Sequence, residues 1–456
     1  MDYFVAGTLA LLLLAVVAIL AIFRWEYGLA LTLASLSLVN RLKTEFYLDL
    51  GYVVVTAETI FILLLLMASQ IRVAMRPRLA GFRPHLFVPI SLLLLSGILS
   101  LFNSLDTHIS VRLLVAGVIQ PVILFYLLIN NLKSIDQVRL VIYALIASAL
   151  LATVYGIWQV FLTFSGRGNA FDYRIVSVYY SPAIFGEILL LSYPLVAVTR
   201  MSMSARKSAT ALFLDVVLAS MIAAMLMTIT RSVWLGLVVS LAVLTFDRKI
   251  RSYFYARLPF VFVLLLILVL LSGVVSEPSG LLELFQRRPV SLDDFSDRTT
   301  SIGERIFAWQ TAVTMMMDNP TGIGLDMFSR IWPRYRPSSE GLDAAHNLFL
   351  DIGVQMGILA LVAFLWIVLD SVRTSIRLVR TCADPDAARL GLGILSALAG
   401  YFVHATFGGA EFAHNVRNVV DPLGSPISTG MLIFWSLVGC LYILDKLESA
   451  VANASA

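Results

Sequence analysis

With 456 residues, 59% of them hydrophobic and only 14% charged, and a mean hydropathy of +0.89, the chain is too apolar for a soluble globular protein. Its 33 Lys and Arg against 29 Asp and Glu leave a net charge of +4, but the cations sit in short clusters between apolar runs, a pattern of membrane topology and not of nucleic-acid binding. The two cysteines, Cys382 in a polar connection and Cys440 in an apolar run, argue against a structural disulfide and against a cysteine metal site.

A span needs about 20 apolar residues to cross roughly 30 Å of hydrocarbon. Candidate runs fall at 4–23, 26–40, 50–69, 86–102, 112–130, 140–163, 182–199, 210–229, 232–246, 258–275, 346–369, 390–407 and 427–444, the second and ninth being short. The reading is an all-α polytopic membrane protein of 12 to 13 transmembrane helices with one long outward loop that contains short helices. Its parts are an N-terminal bundle (1–275), the long loop (276–345), C-terminal transmembrane helices (346–444) and a cytoplasmic tail (445–456). The first run follows Asp2 instead of a basic segment, so it reads as a retained span and not as a signal peptide.

Arginine and lysine cluster in alternate connections: Arg72 to Arg83, Lys133 and Arg139, Arg200 to Lys207, Arg248 to Arg257, and Arg373 to Arg389. These loops belong in the cytoplasm, which turns the connections near 103–111, 164–181, 230–231, 276–346 and 408–426 outward. Arg167, Arg174, Arg231, Arg305 and Arg417 then lie on the side where arginine is disfavoured. Arg167 reads as an ordinary solvated loop residue. Arg231, in Thr228-Ile-Thr230-Arg231-Ser232-Val-Trp234, lies between two spans with almost no loop, and it has either an anionic partner or a snorkelled contact with lipid phosphate.

The long outward stretch has three parts. Leu281 to Arg288 is an apolar then basic interfacial turn. Asp293, Asp294 and Asp297 form a solvated acidic loop with too few ligands for calcium or magnesium. In the third part, Ser301 and Glu304 have capping-box spacing, which predicts a helix over 302–317 that stops before Pro320. Arg305, Trp309, Ala312 and Met316 share one face of it. The stretch closes on His346 and Asn347 at the expected start of the next span, with Leu350, Gly353 and Gly357 following on the histidine's face. A lone histidine is more often structural than catalytic, but this one is outward and downstream of an arginine-bearing helix.

In this order, Thr228-x-Thr230-Arg231-Ser232-x-Trp234, Glu304-Arg305-x-x-x-Trp309, Asp318-Asn319-Pro320-x-Gly322-x-Gly324-x-x-x-Phe328 and Ala345-His346-Asn347-x-x-Leu350 resemble the bacterial O-antigen ligase and O-antigen polymerase superfamily. The resemblance implies a multi-pass glycosyltransferase of the bacterial inner membrane. It would use an undecaprenyl-diphosphate-linked glycan at a periplasmic active site, with arginines at Arg231 and Arg305 and a histidine at His346 as functional residues. Ser232, Gln355 and Ala360 depart from the family pattern, which has Gly, Glu and Gly there.

Breaking an anomeric C–O bond to a diphosphate builds negative charge on the leaving group. Fixed guanidiniums can meet that charge without a metal, and no metal or other cofactor is expected. Arg231 and Arg305 are thus the candidate donor-diphosphate clamp, with Arg174 a third cation, and His346 the candidate catalytic base. Asn347, Trp309, Trp234, His414 and Arg417 are candidate acceptor or supporting residues, the 408–426 connection otherwise being a plain solvated loop. The expected acceptor is lipid A-core, as for a ligase, with a repeat-unit polymerase as the alternative. A lipid-linked-substrate transporter or flippase is a reading from another class, and it would use the intramembrane carboxylates Glu58 and Glu187. Membrane lipids are the remaining expected partners, nucleic acid is not one, and no sequence feature sets the oligomeric state.

Overall fold

A computed structural model describes residues 3–42, 48–75, 85–164, 174–179, 181–203, 208–256, 301–336, 344–409, 414–418, 421–427 and 429–455. The expected span at 258–275, the segment 276–300 with its three aspartates, Arg167 and the cluster Arg76, Arg78 and Arg83 lie outside the described residues. What is described is a helical membrane bundle: eight helices are long and apolar enough to cross a bilayer, and residues 12–23, 87–103 and 231–244 are shorter apolar helices.

Two expected spans are built differently. The run at 26–40 is two short helices, Trp25–Ala34 and Leu36–Leu42, parted at Ser35, whose hydroxyl turns back to the Thr32 carbonyl at 2.9 Å. The run at 346–369 is also broken. Helix Leu348–Met356 ends at Gly357, whose φ of +96° no helix tolerates, and the long helix Ile358–Thr381 starts afresh. The break is made by tertiary contact. The turn after Pro320 docks there, with Ile323 N–H donating to the Val354 carbonyl, Gly324 N–H to the Gln355 carbonyl and Ile358 N–H to the Pro320 carbonyl, at 2.9–3.0 Å. A Cβ on Gly357 would stand 2.7 Å from the Pro320 carbonyl oxygen.

The core of the bundle is helix Pro182–Ser202, almost wholly buried among Ile135–Phe164, Ala209–Met227, Arg231–Leu244, Pro385–His404 and Thr429–Ser455. Two of these neighbours meet through an antiparallel zipper of small and hydroxylated residues. Ser232, Gly236 and Ser240, four apart on helix Arg231–Leu244, face His404, Gly400 and Ser396 on helix Pro385–His404. Ser232 Oγ lies 3.0 Å from His404 Nδ1, and the Ser240 and Ser396 hydroxyls are 2.9 Å apart. Between them the backbones touch, so that a Cβ on Gly236 would sit 2.6 Å from the Gly400 carbonyl. In lipid, where apolar burial does not distinguish one helix face from another, such close approach supplies dispersion contact and each interhelical hydrogen bond adds about 0.6–2 kcal/mol. The zipper fixes the register of the two helices and hence the height of Arg231.

Among the described residues, connections of the basic class bond one another at one end of the bundle: Arg139 with Asp386 at 3.2 Å and Arg389 with Asp247 at 3.6 Å. Connections of the other class do likewise, Arg112 pairing with Asp49 at 2.6 Å and Arg330 with Asp106 at 3.0 Å. Two small hairpins were not anticipated in an all-α reading: Leu48–Asp49 with Val54–Val55, and His414–Asn418 with Asp421–Ile427. The second replaces the expected loop at 408–426 in part; its side chains lie outside what is described.

Candidate functional site

Helix Ser301–Asp318 forms where the capping-box spacing and Pro320 placed it, one residue longer at each end. Its expected inner face is buried: Ala312 is fully covered, Met316 packs against Gly353, and Arg305 and Trp309 are half-buried. Arg305 Nη1 donates to the Phe407 carbonyl. Trp309 Nε1 donates to the Ala345 carbonyl at 3.0 Å, and its ring lies 6.3 Å from that of Phe407. One face therefore reaches the turn 405–409 and the residue before His346.

His346 is not the first residue of a helix. It precedes the cap of Leu348–Met356 and has a φ of +52°, a left-handed conformation that a side-chain-bearing residue seldom takes. The expected face of His346, Leu350, Gly353 and Gly357 is thus corrected: the histidine stands off the helix, and Gly357 ends it. Besides the Trp309 bond, Asn347 and Asp351 hold the turn. Asn347 Oδ1 accepts from Phe349 N–H and Leu350 N–H at 3.0 and 3.2 Å, an N-cap. Asp351 Oδ1 accepts from Ala345 N–H at 2.9 Å. Burial pushes the Asp351 carboxyl up to about 7, the two backbone N–H groups at Ala345 and Asn347 opposing that rise only in part.

The second arginine comes from a second strained turn. Helix Ala209–Met227 ends at Thr228, Ile229 takes a φ of +49°, and Thr230 caps helix Arg231–Leu244 with Arg231 as its first, exposed residue. Positive φ at a β-branched residue is a true outlier and marks a turn whose shape is imposed by its surroundings. Arg174 is part of that surrounding: its Nε donates to the Thr228 carbonyl at 3.0 Å and its Nη2 to Thr230 Oγ1 at 3.1 Å, beside the Ile175 N–H to Met227 carbonyl bond of 3.2 Å. Trp234 Nε1 bonds the Met225 carbonyl at 3.2 Å and closes the same turn from below.

The two arginines act on each other. Burial, and after it the positive charge of Arg231, lower the Arg305 pKa, so the fold holds two guanidiniums within electrostatic reach at one end of the bundle. Like charges gathered at a partly buried place are an arrangement that a bound polyanion relieves. Among the described residues no three His, Cys, Asp or Glu side chains gather as a metal-binding group.

Residues 216–365 match the family model described as O-antigen ligase. This match supports a place in the O-antigen ligase superfamily. No curated protein matches the chain. The matched third of the O-antigen ligase-like chain contains Arg231, Arg305 and His346 and ends inside helix Ile358–Thr381; Arg174 and the turn 405–409 lie beyond it. Two departures from the superfamily pattern have local partners: Ser232 meets His404, and Gln355 Oε1 accepts from Asp326 N–H at 2.9 Å.

Of the residues the sequence singled out, Arg305 reaches the turn 405–409, Trp309 reaches the residue before His346, Arg231 lies within electrostatic reach of Arg305, and Arg174 and Trp234 brace the turn before Arg231. His414 and Arg417 lie in a hairpin whose side chains are not described. Glu58 and Glu187, the carboxylates of the transporter reading, are both buried and both engage neighbours. Glu187 Oε1 is only 1.8 Å from where a Cβ on Gly430 would stand. Sequence reasoning missed His404 and the turn Ala405–Gly409, which touches helices Arg231–Leu244, Leu348–Met356 and Pro385–His404. The available signal was a histidine inside an apolar run, the kind of intramembrane group that is functional by default.

Proposed function

We propose that the chain is a membrane glycosyltransferase that moves a glycan from undecaprenyl diphosphate to an acceptor hydroxyl at the bundle end carrying Arg231, Arg305 and His346. That end faces the periplasm, across the bacterial inner membrane from the arginine-rich connections. The observation that carries this reading is the convergence of two like-charged guanidiniums beside the strained His346 turn. In the reaction the acceptor oxygen bonds to the anomeric carbon as that carbon's bond to the diphosphate oxygen breaks. The electron pair leaves with undecaprenyl diphosphate, held by Arg231 and Arg305 with Arg174 behind them. The hydroxyl proton passes to His346. Direct attack inverts the anomeric centre, and fixed guanidiniums take the place that a divalent metal fills in many cytosolic glycosyltransferases.

The acceptor we assign is lipid A-core, as for an O-antigen ligase, because one long outward stretch ends at His346 where a second large outward loop is lacking. The direct test is the full chain in liposomes with a labelled undecaprenyl-diphosphate-linked glycan and lipid A-core acceptor, with a chelator present. Covalent transfer is expected at an undiminished rate. Movement of the label between leaflets without transfer would mean a flippase, chain growth on the lipid carrier would mean a polymerase, and rescue only by added magnesium would overturn the metal-independent mechanism.

A further inference from the structure

His404 has no part in the chemistry above, yet it is completely buried at the end of the zipper that sets Arg231's height. Its Nδ1 lies 3.0 Å from the hydroxyl of Ser232, the residue next to Arg231. Its ring lies under Gly408, where a Cβ would approach Nδ1 to 2.8 Å and the Ser232 hydroxyl to 2.3 Å, so the histidine, the serine and the 405–409 turn are in mutual contact with no atom to spare. One residue from Gly408, the Phe407 carbonyl receives Arg305. The His404 Nε2 atom, buried, has no hydrogen-bond partner among the described residues, which is a costly state for a residue kept only for packing.

We infer that His404 is a positioning residue for the donor site, a strut that holds Ser232 beside Arg231 and the 405–409 turn beside Arg305 at one fixed separation. This rests on the proposed role of the two arginines. A diphosphate is recognised by paired guanidiniums only when their spacing is set in advance, and the 405–409 turn lies between the two carriers, taking Arg305 on the Phe407 carbonyl and packing against helix Arg231–Leu244. His404 joins both carriers through one ring: a hydrogen bond on one side and the glycine-floored turn on the other. It touches no reacting atom in this arrangement. Its effect is on the binding of the diphosphate donor and not on that of the acceptor.

The test uses the purified full chain in nanodiscs and measures binding of undecaprenyl diphosphate itself, and then the donor and acceptor KM of transfer. His404→Phe keeps a ring but cannot bond Ser232, and it is expected to weaken undecaprenyl diphosphate binding and raise donor KM by about tenfold, one hydrogen-bonded contact's worth, with acceptor KM unchanged. His404→Asn, which keeps a group able to reach the serine, is expected to recover part of that loss. Ser232→Ala carries the same expectation in a side chain small enough to leave folding intact, and combining it with His404→Phe should add nothing, since both remove one interaction. Equal changes in donor and acceptor KM, unchanged donor binding in Ser232→Ala, or full additivity would each overturn the inference. Arg305→Ala is the control: if it too leaves undecaprenyl diphosphate binding unchanged, the donor-site reading itself fails, and the role of His404 falls with it.

Discussion

Asp351 ties the backbone of Ala345 to the first turn of the helix that follows His346, and it does so from a fully buried position. Its folded-state pKa of about 7 lies above the unfolded value of 3.8, so the folded state holds the proton more tightly. The stability this gives is complete below the unfolded pKa, declines as pH rises through the window between the two values, and is gone above about 7, where folding buries a charge. Thermal unfolding of the purified protein between pH 4 and 8 should therefore show a falling midpoint, and Asp351→Asn should flatten the fall. A midpoint that rises over this window in the wild type alone would place the carboxylate in a charged, paired state instead. At the same scale, the left-handed φ of His346 and Ile229 stores strain of order 1–2 kcal/mol at each of the two turns that present the site. The strain is held in place by bonds to Asp351, Asn347 and Arg174 that no residue-by-residue propensity contains.

The helix Arg231–Leu244 is short for a span, and its partner Pro385–His404 meets it backbone to backbone. Gly236→Val puts branched carbons where a single Cβ would already be 2.6 Å from the Gly400 carbonyl, so the helices must part. An overpacking cost of about 1–3 kcal/mol follows, together with a rise in donor KM because Arg231 moves with its helix. A wild-type melting midpoint and donor KM in Gly236→Val would show that the zipper does not set the site. Elements differ in how far the chain alone foretells them. The Ser301–Asp318 helix was legible because its start and stop are local chemistry, a capping pair and a proline. The break at Gly357 was not, because apolar residues run on both sides of it and the agent is the turn after Pro320, brought there by the fold. The 26–40 run misled for the same reason: hydropathy measures whether a segment prefers lipid, not whether it is one helix. Of the candidate site, Arg231, Arg305, Trp309 and His346 are legible as charge, aromatic and imidazole groups placed against the topological bias. The Phe407 carbonyl that orients Arg305 is main chain and has no sequence signal at all, and the hairpin from His414 lies among polar residues that also suit a loop.

Over the whole molecule, the bonds between connections separate two ends of the bundle, one tied by Arg139, Asp247, Asp386 and Arg389 and the other carrying Arg112, Arg330, Arg305 and Arg231. The first set matches the arginine-rich connections that we propose face the cytoplasm. The second is where an anionic, lipid-linked donor would find cations at the edge of the bilayer. A bundle of this kind gives a rigid frame in which the strained turns can be kept, and in the proposed reaction a few side chains at one rim do the chemistry. The most direct test is the rate of labelled-glycan transfer in proteoliposomes by His346→Gly, a variant that fits the φ of +52° without strain and so should melt within about 1 kcal/mol of wild type. The account predicts a folded protein whose transfer rate is lower by about 10²–10⁴-fold, the contribution of a positioned general base. A folded His346→Gly protein that transfers glycan at the wild-type rate would contradict it.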